Sequence, residues 1–322
     1  MKEKFNQEYY DRYVNGETLW DISETENKTY KQVFEMVFNH RFEYRLLPDS
    51  EKDYICENYL KGASCIVLAK RYGVDHHVIL NVLEDCGIKR DYTLSARKYS
   101  VDEHYFDTID TPEKAYILGL LYADGCNYNR KGKWCINISL QEGDKELLEN
   151  VRKELKYEKP LEYIDYSNKR DFGHTCKNQY GLFVFSKHMC NELHKKGMVR
   201  NKSLILEFPE WLNPDLYSHF IRGYFDGDGS IMQYGKYKIV KVSIVSTNNF
   251  CERIKEICAN IGIDTRIYES GCNNGATKQL NIFRQIDVKK FLDWIYTDAT
   301  IYLKRKYQKY LEYYNMDNSL SA

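Results

Sequence analysis

The sequence predicts an α+β protein: an all-α N-terminal region followed by two repeats of the order αββαββα. Three observations carry this. An apolar run ending in Asp-Gly occurs twice, as Ile117-Leu-Gly-Leu-Leu-Tyr-Ala-Asp-Gly125 and Ile221-Arg-Gly-Tyr-Phe-Asp-Gly-Asp-Gly229. Each run is followed by the same alternation of extended and helical patterns. The first hundred residues lack that alternation and show helical periodicity instead.

Taken in order, the N-terminal stretch from Ile66 to Leu83 reads as a helix ending at Gly73, a short turn, and a second amphipathic helix beginning after Asp75. That is the outline of a helix-turn-helix. Leu19 to Ser23 and Thr29 to Val37 read as a degenerate second copy. The chain then enters the first apolar run, which predicts a buried helix ending at Gly125. Behind it lie an extended segment, Trp134 to Leu140, and a helix, Asp144 to Val151. Further strands are predicted near Pro160–Tyr166 and Tyr180–Phe185, then a helix through Cys190–Lys196. The second copy repeats the order. Its strand is Ile239–Val245, its helix Phe250–Ile257, its later strands Thr265–Tyr268 and Gln279–Phe283, and its last helix Val288–Tyr296. Alternation within the strands predicts sheets with one face buried and one free. Pro209 to Pro214 reads as the linker between copies. The predicted domains are 1–105, 106–210 and 211–322.

Within each run two small residues sit four apart, Gly119 with Ala123 and Gly223 with Gly227. That spacing puts them on one helix face, where small side chains let two backbones approach. If the helices pack through those faces, Asp124 and Asp228 arrive side by side at the same end. Two carboxylates at helix C-termini repel each other and the helix dipoles. A divalent cation with oxygen ligands is the natural compensation.

Composition bounds the rest. The chain has 322 residues, enough for a full core and more than one domain. Its formal net charge is zero. Residues 1–110 hold 15 Lys and Arg against 21 Asp and Glu, a balance of −6, and residues 111–322 hold 32 against 26, a balance of +6. The part with the paired acids is the basic part, which a polyanionic partner would select. Ten cysteines occur without a C-x-x-C pair, which argues against a zinc site of the usual spacing. With no signal peptide or long apolar span to read, the expected location is a cytoplasm, bacterial or phage-like, or an organelle, with reduced thiols.

Both nonapeptides resemble the LAGLIDADG motif, and residues 110 to 314 are similar to a single-chain, two-motif LAGLIDADG homing endonuclease, here with a helix-turn-helix-like extension. The resemblance implies pseudo-twofold-related repeats with saddle-shaped antiparallel sheets. It implies a monomer that hydrolyses both strands of double-stranded DNA at a long target site, using Mg²⁺ or Mn²⁺. By residue match, Asp124 and Asp228, with Gly125 and Gly229, would bind metal. Lys202 and Lys306 match the basic residue that the family places near the scissile phosphate, with Lys304 as the alternative to Lys306. Gln141, and Ser246 in the second copy, match a polar residue that orients active-site water. The sixth motif positions differ, Tyr122 against Asp226. DNA contacts are expected from the free sheet faces, with Arg130, Lys133, Asn137, Arg170, Lys177, Lys236, Lys238, Lys241, Arg266 and Lys278 as candidates. The alternative reading is a non-cleaving DNA-binding regulator or an RNA-splicing maturase on the same fold. Retention of both motif acids favours the enzyme. The chain lacks an N-terminal splicing Cys or Ser and a terminal His-Asn, so self-splicing is not expected.

Overall fold

The computed structural model describes residues 3–89, 99–130, 132–166, 170–171, 174–175, 177–235, 239–271 and 276–320, with backbone alone at 130, 170–171, 174–175 and 314–320. They divide into two compact units, residues 1–103 with 156–159 and residues 104–155 with 160–322.

Among the described residues the first unit contains six α-helices, in two sets of three: α1 Gln7–Val14, α2 Leu19–Thr25 and α3 Tyr30–Phe38, then α4 Asp49–Leu60, α5 Cys65–Tyr72 and α6 His76–Asp85. The two sets follow one local script. Left-handed backbone recurs at Gly16 and Gly62, and again at Asn27 and Gly73. N-cap side chains recur at Thr18 and Ser64, and at Thr29 and Asp75. All four pairs share one offset of 46 positions in the numbering. The turn of α5 and α6 is thus repeated between α2 and α3, where Asn27 takes the left-handed role that Gly73 plays later. Gly73 is also forced by contact, since a Cβ there would lie 2.4 Å from Thr29 Oγ1. The shared core is aromatic: Trp20, Tyr30 and Tyr72 meet at 4.8–5.3 Å between ring centroids. Glu51 accepts from Trp20 Nε1 at 2.9 Å and Tyr72 Oη at 2.6 Å, which satisfies both polar tips.

The second unit is built on two helices that open with different signals. Helix α7, Pro112–Asp124, starts from the N-cap Thr111 with proline in its first turn. Helix α8 of the first copy is Lys145–Glu154 and α9 is Lys187–Lys195. Helix α10, Tyr217–Asp228, follows a 3-10 turn at Pro214–Leu216. The second copy continues with α11 Asn248–Asn260 and α12 Gln285–Tyr296, and α13 spans Lys304–Leu320. Each copy has a four-stranded antiparallel sheet. In chain order the strands are β1 Cys126–Arg130, β2 Lys133–Gln141, β3 Glu162–Ile164, the short β4 Arg170–Asp171 and β5 His174–Thr175, and β6 Gln179–Val184. The second copy has β7 Gly229–Tyr234, β8 Ile239–Ser246, β9 Arg266–Glu269 and β10 Lys278–Ile282. Sheet orders match, β1-β2-β6-β3 and β7-β8-β10-β9, while β4 and β5 pair only with each other. The strands directly after the acids, β1 and β7, are not predicted by the sequence pattern.

Helices α7 and α10 pack on each other through the four small residues. A Cβ on Gly223 would lie 1.9 Å from the Tyr116 carbonyl oxygen, and one on Gly119 would lie 2.0 Å from that of Phe220. A Cβ on Gly227 would meet that of Ala123 at 2.3 Å. Gly125 and Gly229 do not take the left-handed helix-ending conformation. Both are extended, with φ of −78° and −91°. They are required by close approach, since a Cβ would lie 2.6 Å from the Leu121 or Phe225 carbonyl oxygen.

Gly223→Ala tests the contact by its sign. At an open helix position alanine gains about 1 kcal/mol over glycine. Here overpacking should cost about 1–3 kcal/mol or more. The melting temperature of Gly223→Ala should therefore fall, while that of Gly143→Ala, at a residue with nothing near its Cβ, should hold or rise. A Gly223→Ala protein melting at or above the wild type would remove the helix contact.

Candidate active site

Asp124 and Asp228 end the two motif helices, and the tight glycine contacts bring those ends together. Both side chains reach solvent, yet each is hemmed in by protein. Desolvation pushes the Asp124 carboxyl up to about 6, and the negative charge of Asp228 adds to the shift. Desolvation also raises Asp228, against a hydrogen bond from Tyr224 and the charges of Lys202 and Lys306. Leu120 occupies the place in α7 that Tyr224 has in α10, so Asp124 has no such donor four residues before it.

Lys202 and Lys306 each lie 78 residues after their motif acid. Both are buried, at 7% and 4% exposure. Lys202 Nζ donates to the carbonyl oxygens of Ala123 (3.3 Å) and Gly125. Lys306 Nζ lies within reach of those of Phe225, Asp226 (2.8 Å), Gly227 (3.4 Å) and Gly229. These oxygens crowd the two helix ends, where a cation offsets the negative pole of the dipole. Burial lowers Lys306 to about 8, with Asp226 and the motif acids opposing the shift. Burial lowers Lys202 likewise. The alternative, Lys304, is exposed and pairs with Glu146 at 3.3 Å.

The sixth motif positions differ in chemistry and serve one purpose. Tyr122 Oη donates to the Lys196 carbonyl, six residues before Lys202. Asp226 Oδ2 accepts from the Leu303 N–H at 2.7 Å, three residues before Lys306, and from Tyr116 Oη at 2.7 Å. Its Oδ1 accepts from Tyr296 Oη at 2.9 Å. Each sixth residue therefore clamps the segment that delivers the lysine. Asp226 is buried and bonded at both oxygens, so it does not stand as a competing cation ligand. Burial raises its pKa. Arg222, itself fully buried, stacks 5.1 Å over Tyr116 and donates to the carbonyls of Ile295 (2.8 Å) and Ile301 (3.1 Å).

Gln141 ends β2 and takes a hydrogen bond from Lys177 Nζ at 3.3 Å. Its counterpart by register is Thr247, not Ser246. Two residues after each acid, Cys126 pairs with Asn137 and Ser230 with Ser243, and counting on four gives Gln141 and Thr247. The second hairpin is two residues longer, which misleads a count along the chain. Thr247 is consumed as the N-cap of α11 and donates to the Leu206 carbonyl. Ser246 faces inward and bonds Tyr224 Oη at 2.9 Å.

Of the DNA candidates, Lys133 and Asn137 share the free face of β2 with Gln141. Lys241 and Arg266 share the free face of the second sheet with Asn281 and Tyr268. Lys241 Nζ lies 5.3 Å over the Phe283 ring. Lys278 is corrected: it pairs with Ser246, in phase with Leu280 and Ile282 on the helix-covered side, and its ammonium is held by Glu269. Lys236 and Lys238, and the side chains of Arg130 and Arg170, lie outside the described residues. Sequence reasoning missed Tyr224, Arg222 and the tyrosines around Asp226, because nothing in a single chain marks a buried tyrosine as a partner of a particular acid.

The donor set at the paired acids is all oxygen: two carboxylates, beside the carbonyls of Gly125 and Gly229 that accept from Lys202 and Lys306. Lys306 and Lys202 offset the charge of the pair in part, and both carboxyls stay raised. Both fit a hard divalent cation. No helix among the described residues is long and apolar enough to cross a membrane.

Comparison with known proteins gives three kinds of likeness. A tRNA-splicing ligase RtcB of Pyrococcus abyssi (strain GE5 / Orsay) is 25% identical over 204 residues, 56% of this chain and 21% of that protein. The protein of the same name from Methanopyrus kandleri is 21% identical over 199 residues, 55% and 20% of the two chains. The chain thus spans about a fifth of the length of these curated relatives. Among solved structures it is similar to the LAGLIDADG homing endonuclease I-LtrWI bound to target DNA, at 14% identity and a TM-score of 0.44, covering 67% of this chain and 92% of that one. It is also similar to I-DmoI in complex with DNA and Mn, at 19% identity and a TM-score of 0.39, covering 57% and 95%. Residues 215–296, which hold the second motif helix, its sheet and the helix after it, match the model of the LAGLIDADG-like domain. That match lies within the second copy of the repeated order.

Proposed function

We propose that this protein is a site-specific endonuclease that hydrolyses phosphodiester bonds in both strands of double-stranded DNA. The observation that carries the reading is the pair of motif acids at two abutting helix ends, each accompanied by a buried lysine 78 residues on. Asp124 and Asp228, with the carbonyls of Gly125 and Gly229, would hold the divalent cation. When bound, it would lower the pKa of a water and stabilise the leaving 3′-oxygen. The residues of the chain do the rest. Lys202 and Lys306 hold the motif turns in shape and place positive charge beside the acids, where a phosphodiester's charge is stabilised. Gln141 orients water on one side only, because Thr247 is occupied on the other. The free sheet faces, with Lys133, Asn137, Lys241 and Arg266, contact the duplex. Incubation with a plasmid library and Mg²⁺, followed by sequencing of the ends produced, tests the reading directly. Random ends, or none, would defeat it.

Asp124→Asn and Asp228→Asn should each abolish double-strand cleavage while DNA binding persists. The amide keeps the shape and holds a cation poorly. Undiminished cutting by either variant removes that acid from the site.

The two acids also make stability depend on pH and metal. The native Asp124 titrates near 6, above its ordinary value of 3.8. Between those values the native state keeps a proton that the unfolded chain gives up, so stability falls as pH rises through the window. Without divalent cation, Asp124→Asn should melt higher than the wild type at pH 7, and the difference should fade as pH falls toward 4. Mg²⁺ should raise the wild-type melting temperature and leave both Asn variants unmoved. A pH-independent difference between variant and wild type would sink the account.

Deleting residues 1–100 should leave a folded, metal-dependent nuclease that binds DNA more weakly, since all the proposed site residues lie beyond the cut. A tethered second binding unit adds affinity without new chemistry. Helix α6 is short of Lys and Arg, so the salt slope of binding should drop only slightly, by about one unit for each phosphate that the helical unit neutralises. Equal affinity of the full and truncated chains for a long duplex would show that the helical unit does not touch DNA.

A further inference from the structure

We propose that His104, Asp107 and His188 form a second metal site, selective for a borderline transition-metal ion such as Zn²⁺ and separate from the motif acids. His104 Nδ1 lies 2.6 Å from Asp107 Oδ2, and His188 Nε2 lies 2.6 Å from Asp107 Oδ1. The three ligand atoms fall within 4.8 Å of one another. The imidazole rings stand 4.6 Å apart between centroids. An ion that draws the three atoms inward needs only small side-chain rotations. The ring hydrogens now facing Asp107 would move to the other ring nitrogens or to solvent.

The chemistry of the donors sets the ion. Two imidazole nitrogens and one carboxylate oxygen suit Zn²⁺ and its neighbours, with the remaining positions open to water. The paired motif acids offer only oxygen and suit a hard ion. The two sites therefore discriminate by ligand type.

The arrangement is held in advance. Asp107 sits in a turn closed by its own N–H on the His104 carbonyl at 3.0 Å. Its carbonyl accepts from Lys196 Nζ at 3.1 Å, and Lys196 is steadied by Glu192 at 3.7 Å. His188 lies in the first turn of α9, whose N-cap is Ser186. All three side chains reach solvent, so the ion has an entry path. Residues 104–107 lead into the first motif helix, and α9 packs on β1 and β2. The ion would pin that entering segment to the first repeat. Among the described residues, the other grouping of this kind, Asp75, His76 and His77, is contiguous in sequence, and its acid is already spent capping α6.

The test uses full-length, chelator-treated protein titrated with ZnCl₂ in millimolar Mg²⁺, which keeps the motif acids supplied. His188→Gln and His104→Gln retain a donor toward Asp107 and lack the ligating nitrogen. Each should weaken Zn²⁺ binding by about tenfold or more, and the rise in melting temperature that Zn²⁺ gives the wild type should be lost in both. Because the chain is rich in cysteine, Co²⁺ is the second probe. Its spectrum should lack thiolate charge transfer and should vanish in both variants. Wild-type Zn²⁺ affinity in either variant, or a thiolate spectrum that persists in both, would overturn the site.

Discussion

The backbone contact between the two motif helices is what the rest of the second unit depends on. At Gly119 and Gly223 each helix places a carbonyl where the other's Cβ would be. Contact that close aligns the helix ends, and the helix ends carry the acids. The same approach creates the main electrostatic problem of the fold, since two negative dipole poles and two carboxylates converge. The protein answers with cations that are covalently its own. Lys202 and Lys306 arrive from segments far along the chain and lie among the carbonyls at the helix ends. Each such interaction is worth about 0.3–1 kcal/mol at an exposed site, and more when partly buried. The lysines do not cancel the rest: burial first, and then the charge of Asp228, still hold the Asp124 carboxyl above its ordinary range.

How much of this can be read from the sequence depends on whether the signal is local. The duplicated Asp-Gly runs, the small residues four apart and the helical N-terminal region are local patterns, and the corresponding elements lie close to their expected bounds. The pairing of Lys202 and Lys306 with the motif turns is not local, but equal spacing from each acid makes it countable. Counting fails where the copies differ in length. The second hairpin is two residues longer, so Ser246 looks equivalent to Gln141 when the register gives Thr247. Lys278 fails for a related reason: one residue of phase in a strand decides which face a side chain joins. Glycine at 125 and 229 is expected for one reason and present for another. Steric closeness requires it there, and a left-handed turn does not.

The two copies keep a common architecture while diverging in the residues that build it. In the first unit, Asn27 and Gly73 fill the same left-handed position, and Thr29 and Asp75 the same cap. Either residue of each pair meets the local requirement, so the repeat is nearly invisible as identity and plain as geometry. In the second unit the divergence reaches the site. Tyr224 bonds the region of Asp228 and Ser246, whereas Leu120 gives Asp124 nothing comparable. Gln141 accepts from Lys177, whereas Thr247 is spent on a helix cap and the Leu206 carbonyl. The two halves of the candidate site are therefore chemically unequal, although the backbone repeats.

The sixth motif position shows why such divergence is tolerated. A tyrosine and an aspartate share neither charge nor size, and an alignment would score the pair as a mismatch. Each reaches the segment that carries a lysine. Tyr122 donates to a carbonyl there, and Asp226 accepts from an N–H. The backbone offers both kinds of group, so a donor and an acceptor can fasten the same strap from opposite ends of a hydrogen bond. The acid carries an extra demand, because a buried carboxylate must be surrounded by donors. Tyr116, Tyr296 and the Leu303 N–H supply them, and Arg222 stands nearby. That demand explains why the second copy has a polar network where the first has only a single tyrosine bond. It also couples the copies, since Tyr116 belongs to the first motif helix and Asp226 to the second. What the two copies share at this position is a fastened lysine strap, and the side chains that fasten it differ together with their neighbours.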